Sequence, residues 1–183
     1  MGTDKANLVQ DGETLLLRTV RLARLVSEFP PLIVGREKPD DWGEHVLAQF
    51  VPDDSPGIGP VGGLQTALRH ARGIPVLALS CDLPALTEPA LRWLVSEVRG
   101  KYGVIARNGD QLEPLFAVYS PSCLPLIEAN IGAGKRSLHA LIAAGGEGFA
   151  VRDVPPDLAS TLANVNTPEQ WAIFRRPARS LLP

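Results

Sequence analysis

The run Pro75-Val-Leu-Ala-Leu-Ser-Cys-Asp-Leu-Pro84 constrains this chain more than any other stretch, because an apolar segment stops there at a single carboxylate, Asp82. Val76 to Leu79 are apolar in succession, bounded by Pro75 and by a polar break. They read as a short strand buried on both faces, which is what a parallel sheet supplies. In open α/β sheets ligands bind beyond the carboxyl ends of the strands. Asp82 therefore stands at the mouth, with hard oxygens suited to Mg²⁺. Pro84 stops the strand and helps to fix the turn that aims the carboxylate. The competing reading is that Asp82 caps the helix that starts near Thr87.

A chain of 183 residues carries one sizeable core, so a single domain over 1–183 is expected. With 45% hydrophobic and 21% charged residues and a formal net charge of -2, bulk charge excludes a nucleic-acid binder of the usual basic kind. An anionic ligand must be held by local features. Cys81 and Cys123 lack the paired spacing of a metal site or a disulfide framework and read as reduced thiols. No apolar run approaches the ~20 residues of a membrane span, and no signal peptide is legible. A cytoplasmic protein without membrane or nucleic-acid partners is the expectation.

Taken in order, Met1-Gly-Thr-Asp-Lys5 resembles the end of a phosphate-binding loop with no strand before it. Apolar spacing predicts an amphipathic helix from Glu13 to Phe29, ended by Pro30 and Pro31. Leu32 to Val34 is a short strand ending at Gly35-Arg36, a looser helical stretch follows near Trp42 to Gln49, and Phe50-Val51 is another short strand. The segment from Pro52 to Leu64 is dense in Gly and Pro, and Gly62-Gly63 leads into a helix through Ala71 whose N-terminus can meet an anion. Helical spacing recurs from Glu88 to Val98. Gly103 to Ala106 and Leu115 to Tyr119 are strands around the Asn108-Gly109-Asp110 turn, a hairpin signal that adds one antiparallel element. Arg107 and Glu113 flank that turn, where charges are more often solvated than functional.

Helices are predicted at Ser122 to Ala129 and Ser137 to Ala143. Between them lies Gly132-Ala-Gly-Lys-Arg136, a basic pair before a capping Ser and suited to an anionic group. Phe149 to Val151 is a last strand. Thr167 and Pro168 open a final helix through Phe174. Asn164 and Asn166, two apart in an extended segment, project the same way and can offer carbonyl oxygens to a metal or polar contacts to a substrate.

Together the segments Met1-Gly2-x-Asp4-Lys5, Gly59-Pro60-x-x-Gly63-Leu64, Cys81-Asp82-x-Pro84, Glu113-Pro114-Leu115 with Tyr119, Lys135-Arg136-Ser137-Leu138 and Asn164-x-Asn166-Thr167-Pro168 resemble the MobA-type nucleotidyltransferases. The likeness covers essentially the whole chain and rests on the order and spacing of these pieces. It implies an α/β fold: a Rossmann-like, mostly parallel sheet with flanking helices and one antiparallel hairpin, as a three-layer sandwich. It also implies transfer of GMP from GTP to molybdopterin, dependent on Mg²⁺, and contact with other proteins of molybdenum cofactor biosynthesis. By this resemblance Lys5 touches the triphosphate, Asp82 holds Mg²⁺, Asp53 (or Asp54 in a shifted register), Gly59 and Gly63 contact the nucleotide, and Asn164, Asn166, Lys135 and Arg136 face the acceptor. His45, His70 and His139 match no family position.

Two departures matter. Gly35 stands where the guanylyltransferases tend to carry an Asn meeting the guanine, which keeps CTP and other acceptors open as alternatives. Of the family's first loop, Leu-x-Ala-Gly-Gly-x-Ser-x-Arg-Met-Gly-x-Asp-Lys, the chain keeps only the last five positions. A non-catalytic paralogue therefore stays open, as does an interior origin for Met1. In the latter case the 183-residue chain is expected to bind nucleotide weakly and to self-associate through an open sheet edge.

Overall fold

The period-two alternation of the middle strands separates two cores and sets the layers. In the computed structural model, which describes residues 4–43, 46–165 and 168–174, strands β6 (Gly103–Asn108) and β7 (Gln111–Tyr119) lie at the centre of the larger sheet. Val104, Ala106, Phe116 and Val118 point to one face, and Ile105, Ala117 and Tyr119 to the other. The first face is covered by helices α1 (Leu15–Arg24) and α3 (Glu88–Ser96), through Leu22, Leu91 and Leu94. The second is covered by α2 (Pro60–His70), α4 (Leu124–Gly132) and α5 (Leu138–Gly145), through Leu64, Leu68, Ile127 and Leu141. Helix, sheet and helix form the expected three-layer sandwich.

The described strands form three sheets. A small hairpin joins β1 (Val9–Gln10) and β2 (Glu13–Thr14), and β3 (Leu32–Val34) pairs in parallel with β4 (Gln49–Val51). The larger sheet runs β5–β7–β6–β8, with β5 at Val76–Leu79 and β8 at Phe149–Asp153. β6 and β8 are parallel, while β7 is antiparallel to both β5 and β6. β5, β6 and β8 therefore share one direction, and β7 is the antiparallel element that the Asn108-Gly109-Asp110 turn predicts, with Gly109 at φ 59°.

Several local expectations change. The helix expected from Glu13 starts at Leu15, capped by the Thr14 hydroxyl that accepts the Leu17 N–H, and it ends by Arg24 because the chain must reach β3. Ahead of it, Asp11 and Gly12 at φ 50° and 85° turn the β1–β2 hairpin, a two-residue left-handed turn that the sequence reading passed over. Trp42 and Val46 are not helical; the Trp42 indole donates to the Val46 carbonyl and its ring meets Phe50 edge-on. Helix α2 begins at Pro60, so Gly62 and Gly63 lie inside its first turn rather than before it. There Gly62 passes so close to the Ser55 carbonyl that a Cβ would sit 2.9 Å from it.

β5 departs most from expectation. Its paired neighbour is antiparallel, and all four of its residues are only half-buried. Thr87 is the N-cap of α3, so Asp82 is not that helix's cap. Among the described residues no helix is long and apolar enough to cross a membrane.

Candidate active site

The carboxyl end of β5 meets the first described turn of the chain. Asp4 starts the 3-10 turn Lys5–Asn7, its carboxylate accepting the Ala6 N–H at 3.1 Å. The same carboxylate grips Arg36, just past β3, in a two-pronged pair at 2.5 and 2.9 Å. This clamp ties the Lys5 turn to the end of β3, and Lys5 reaches across to place Nζ 3.4 Å from Asp82 Oδ2. Both side chains are partly sheltered, 29% and 23% exposed. The other oxygen of Asp82, Oδ1, accepts the Ser80 hydroxyl, and its backbone carbonyl accepts the Val165 N–H at 3.2 Å. Two residues 77 apart in sequence thus form one charged centre, and the segment carrying Asn164 is fastened beside it.

Glu113 joins this centre through a kink. Between Ile105 and Ala106 the β6–β7 register jumps, Ile105 facing Ala117 but Ala106 facing Glu113. Pro114, unable to donate to the ladder, sits within the jump. Beyond the jump, Leu115 turns its carbonyl to the Ser80 N–H of the neighbouring strand. Glu113 shares a recess with His139 near the start of α5. Burial raises the Glu113 carboxyl, the Asp82 charge raises it further, and His139 partly opposes this. Burial, then Asp82, also raises the Cys81 thiol, which is therefore a poor nucleophile at neutral pH.

The Arg36 hydrogen bond holds the Asp4 carboxyl below the usual aspartate range. A depressed carboxylate stabilises the fold above its unfolded pKa and loses that contribution as pH falls through its folded value. Arg36→Ala should therefore flatten the acid side of the stability profile. Because the pair is substantially exposed, the loss at neutral pH should be at most about 1 kcal/mol. Thermal midpoints compared at about pH 7 and about pH 3 measure it: the wild type should lose more than the variant, and equal losses would remove the clamp's contribution.

The other predicted residues fall around this centre. The Asp53 Oδ1 accepts the Ser55 N–H and the Thr66 hydroxyl, each at 3.0 Å, so that carboxylate pins the glycine-rich loop to α2. It also borders Gly35, where a Cβ would lie 3.4 Å from that of Asp53. Asp54 turns outward to Arg69 at 3.6 Å. Gly59 precedes α2 with φ 85°, and Gly63 faces Val34. Lys135 and Arg136 are exposed in the turn before Ser137, whose hydroxyl caps α5 by accepting the Ala140 N–H. Asn164 is exposed; Asn166 and Thr167, like Met1 and Gly2, lie outside the described residues. Arg107 pairs with Asp153 on the surface, as a solvated charge should.

Sequence reasoning overlooked Ser80, Arg36 and His139. Ser80 was legible in principle, two residues before Asp82 and so able to fold back onto its carboxylate. Arg36 and His139 depend on chain crossings that no local pattern carries.

Among the described residues no group of three or more His, Cys, Asp or Glu could cage a metal. The hard carboxylate oxygens of Asp82 fit Mg²⁺, which is commonly held by one or two carboxylates together with substrate phosphates. Zn²⁺, which prefers nitrogen and sulfur ligands, is not suited to it.

The chain is similar to known proteins over most of its length. A family model described as the MobA-like NTP transferase domain matches residues 1–148. A probable molybdenum cofactor guanylyltransferase from Opitutus terrae is 35% identical over 96% of this chain and 89% of its own length. The molybdenum cofactor guanylyltransferase of Pseudomonas fluorescens is 32% identical, over 92% and 83%. Among solved structures, a protein of Aquifex aeolicus superposes with a TM-score of 0.72 at 27% identity, over 84% of this chain and 79% of that one. The molybdopterin-guanine dinucleotide biosynthesis protein A of Archaeoglobus fulgidus shares the fold, with a TM-score of 0.70 at 22% identity over 94% and 89%. Matched over most of its length, the chain is a nucleotidyltransferase and belongs to the MobA-like NTP transferase family.

Proposed function

We propose that this protein transfers GMP from GTP to molybdopterin. The observation that carries the proposal is the 3.4 Å approach of Lys5 Nζ to Asp82 Oδ2 beyond β5, in a chain whose relatives are named for that activity. In the reaction an oxygen of the molybdopterin phosphate forms a bond to the α-phosphorus of GTP, the bond from that phosphorus to the bridging oxygen breaks, and pyrophosphate leaves. Transfers of this kind depend on positioning and charge neutralisation, so no nucleophilic side chain is needed. Asp82 would hold Mg²⁺, which would supply charge neutralisation on the phosphates.

The chain's own groups do the rest. Lys5 brings a positive charge to the triphosphate, and the Asp4–Arg36 clamp holds the turn that carries it. Ser80 fixes one oxygen of Asp82, leaving the other directed at Lys5. The loop pinned by Asp53, with Gly59 and Gly63 at the start of α2, lets the backbone approach the nucleotide closely. Lys135, Arg136, Asn164 and Asn166 meet the acceptor. Replacing Lys135 and Arg136 with Ala should raise the KM for molybdopterin by about tenfold and that for GTP much less. Equal changes in both would return the pair to the solvated surface.

Gly35 favours one alternative. With φ 70° and Asp53 against it, the end of β3 offers no side-chain amide to a guanine, and CTP becomes a competing donor. Assays with molybdopterin, Mg²⁺ and either GTP or CTP, following pyrophosphate release and the dinucleotide formed, separate the two. Preferential use of GTP supports the proposal, and preferential use of CTP overturns the base assignment.

A further inference from the structure

A recess of about 560 Å³ lies between the β6–β7 turn and the start of α5. Asp110 and Gln111, both exposed, form its rim. Leu112 and Pro114 give it apolar surface, and Glu113 and His139 line it from β7 and α5. Such a mixture of apolar surface and a few polar groups suits a small, flat, polar ring.

Glu113 sets this recess apart. Its side chain is half-buried, and among the described residues no group donates a hydrogen bond to its carboxylate or forms an ion pair with it. Glu13, Glu88, Glu97 and Glu128, in contrast, each pair with an arginine. The backbone that carries Glu113 is nonetheless fixed. Pro114 sits in the register jump, and its carbonyl accepts at 2.8 Å the hydroxyl of Tyr119, a residue with no exposed surface. A sheltered carboxylate without donors costs free energy, and burial raises its carboxyl. A ligand that brings N–H groups relieves that cost.

The position of the recess selects the ligand. β7 pairs with one edge of β5, and β3 lies across the other. The nucleotide loop belongs to the β3 side, where Gly63 faces Val34 and Gly35 borders Asp53. The recess is on the β7 side of Asp82, near enough for the Asp82 charge to act on Glu113. Attacking and leaving oxygens stand roughly in line at the phosphorus, so an acceptor approaching a nucleotide held near β3 comes from the side of β7.

We propose that this recess holds the pterin ring of the acceptor, with the Glu113 carboxylate accepting the 2-amino and N3–H groups together and His139 closing the opposite side. The inference rests on molybdopterin being the acceptor. A 2-amino-4-oxo ring presents those two donors side by side, as a guanidinium does, and a carboxylate takes both in parallel bonds. In molybdopterin this edge lies at the far end from the phosphate, so a ring held here leaves the phosphate to extend toward Asp82. Guanine carries the same pair of donors and is the other source of this chemistry. The loop pinned by Asp53 keeps it on the β3 side.

The test titrates the isotope-labelled 183-residue protein with 6-hydroxymethylpterin and with 6-hydroxymethyllumazine, and follows the Gln111, Leu112 and Glu113 amides and the His139 ring by NMR. The two ligands differ only where lumazine carries an oxo group in place of the 2-amino donor. The wild type should bind the pterin about tenfold more tightly or better, because lumazine sets an oxygen against the carboxylate. Glu113→Gln offers one acceptor and one donor, and should bring the two affinities within about threefold while keeping the thermal midpoint. His139→Ala should weaken both ligands alike. Equal wild-type affinities, a pterin preference kept in Glu113→Gln, or shifts confined to other residues overturn the proposal. Guanosine moving these signals more tightly than the pterin also overturns it, since the recess then belongs to the nucleotide. The titration contains neither GTP nor Mg²⁺, so its outcome is separate from that of the transfer assay. Transfer to molybdopterin without a pterin preference sinks this inference alone, and a preference without transfer sinks the GMP-transfer reading alone.

Discussion

Asp82→Asn should reduce nucleotidyl transfer by at least about 100-fold, the scale on which removal of a single preorganised charge-stabilising group is felt. Asparagine keeps the shape of the side chain and one oxygen for the Ser80 hydroxyl, but it removes the negative charge that faces Lys5 and suits Mg²⁺. The backbone carbonyl of residue 82 still accepts the Val165 N–H, so the local fold is kept. The Lys5 pair is partly solvated and contributes little to stability. A thermal midpoint within a few degrees of wild type is expected, because a change in a partly exposed carboxylate is typically worth about 0.5 kcal/mol or less. The loss should appear in kcat more than in the KM for the nucleotide. Turnover within about threefold of wild type, against this scale, would remove Asp82 from the chemistry.

Gly103→Ala should have the largest effect on stability. Gly103 opens β6 opposite Tyr119 with φ 123°, a conformation that side chains avoid. A Cβ there would lie 2.0 Å from the Val118 carbonyl oxygen and 3.0 Å from the Tyr119 Cα, all backbone of the central strand. Relief would require parting β6 from β7 where Val104, Ile105, Val118 and Tyr119 are buried. The expected cost exceeds about 3 kcal/mol, at the upper end of single substitutions and a large share of a domain's roughly 5 to 15 kcal/mol. Gly109→Ala is the matched control. Its φ of 59° is also left-handed, but nothing lies within 4 Å of the added Cβ, so only the local strain of about 1 to 2 kcal/mol applies. Denaturant midpoints of the two variants measure the difference, and equal costs would mean that close packing at Gly103 is not what requires glycine.

Much of the arrangement around Asp82 was legible in local sequence. The apolar run Val76 to Leu79 does stop at a carboxylate, the Asn108-Gly109-Asp110 turn does reverse the chain, and Ser137 does cap the helix that follows the basic pair. These signals are local: a run length, a left-handed glycine, a hydroxyl one residue ahead of a helix. What stayed hidden needed distant segments to meet. The antiparallel pairing of β5 with β7 leaves no mark on Val76 to Leu79 themselves, since an apolar run suits either direction. Glu113 looked like a charge beside a hairpin because its approach to Asp82 follows from the register jump at Pro114. The β1–β2 hairpin was missed because its strands are two residues each, too short to show alternation.

The most direct measurement of the Lys5–Asp82 centre follows the α-phosphate of GTP. With the protein, molybdopterin, Mg²⁺ and GTP labelled at the α-phosphorus, the label should move into a pterin–guanine dinucleotide while an equal amount of unlabelled pyrophosphate appears. The transfer should depend on Mg²⁺ and be lost in Asp82→Asn. Label that remains in GTP with the wild-type protein, or that moves equally well in the Asp82→Asn variant, would contradict it.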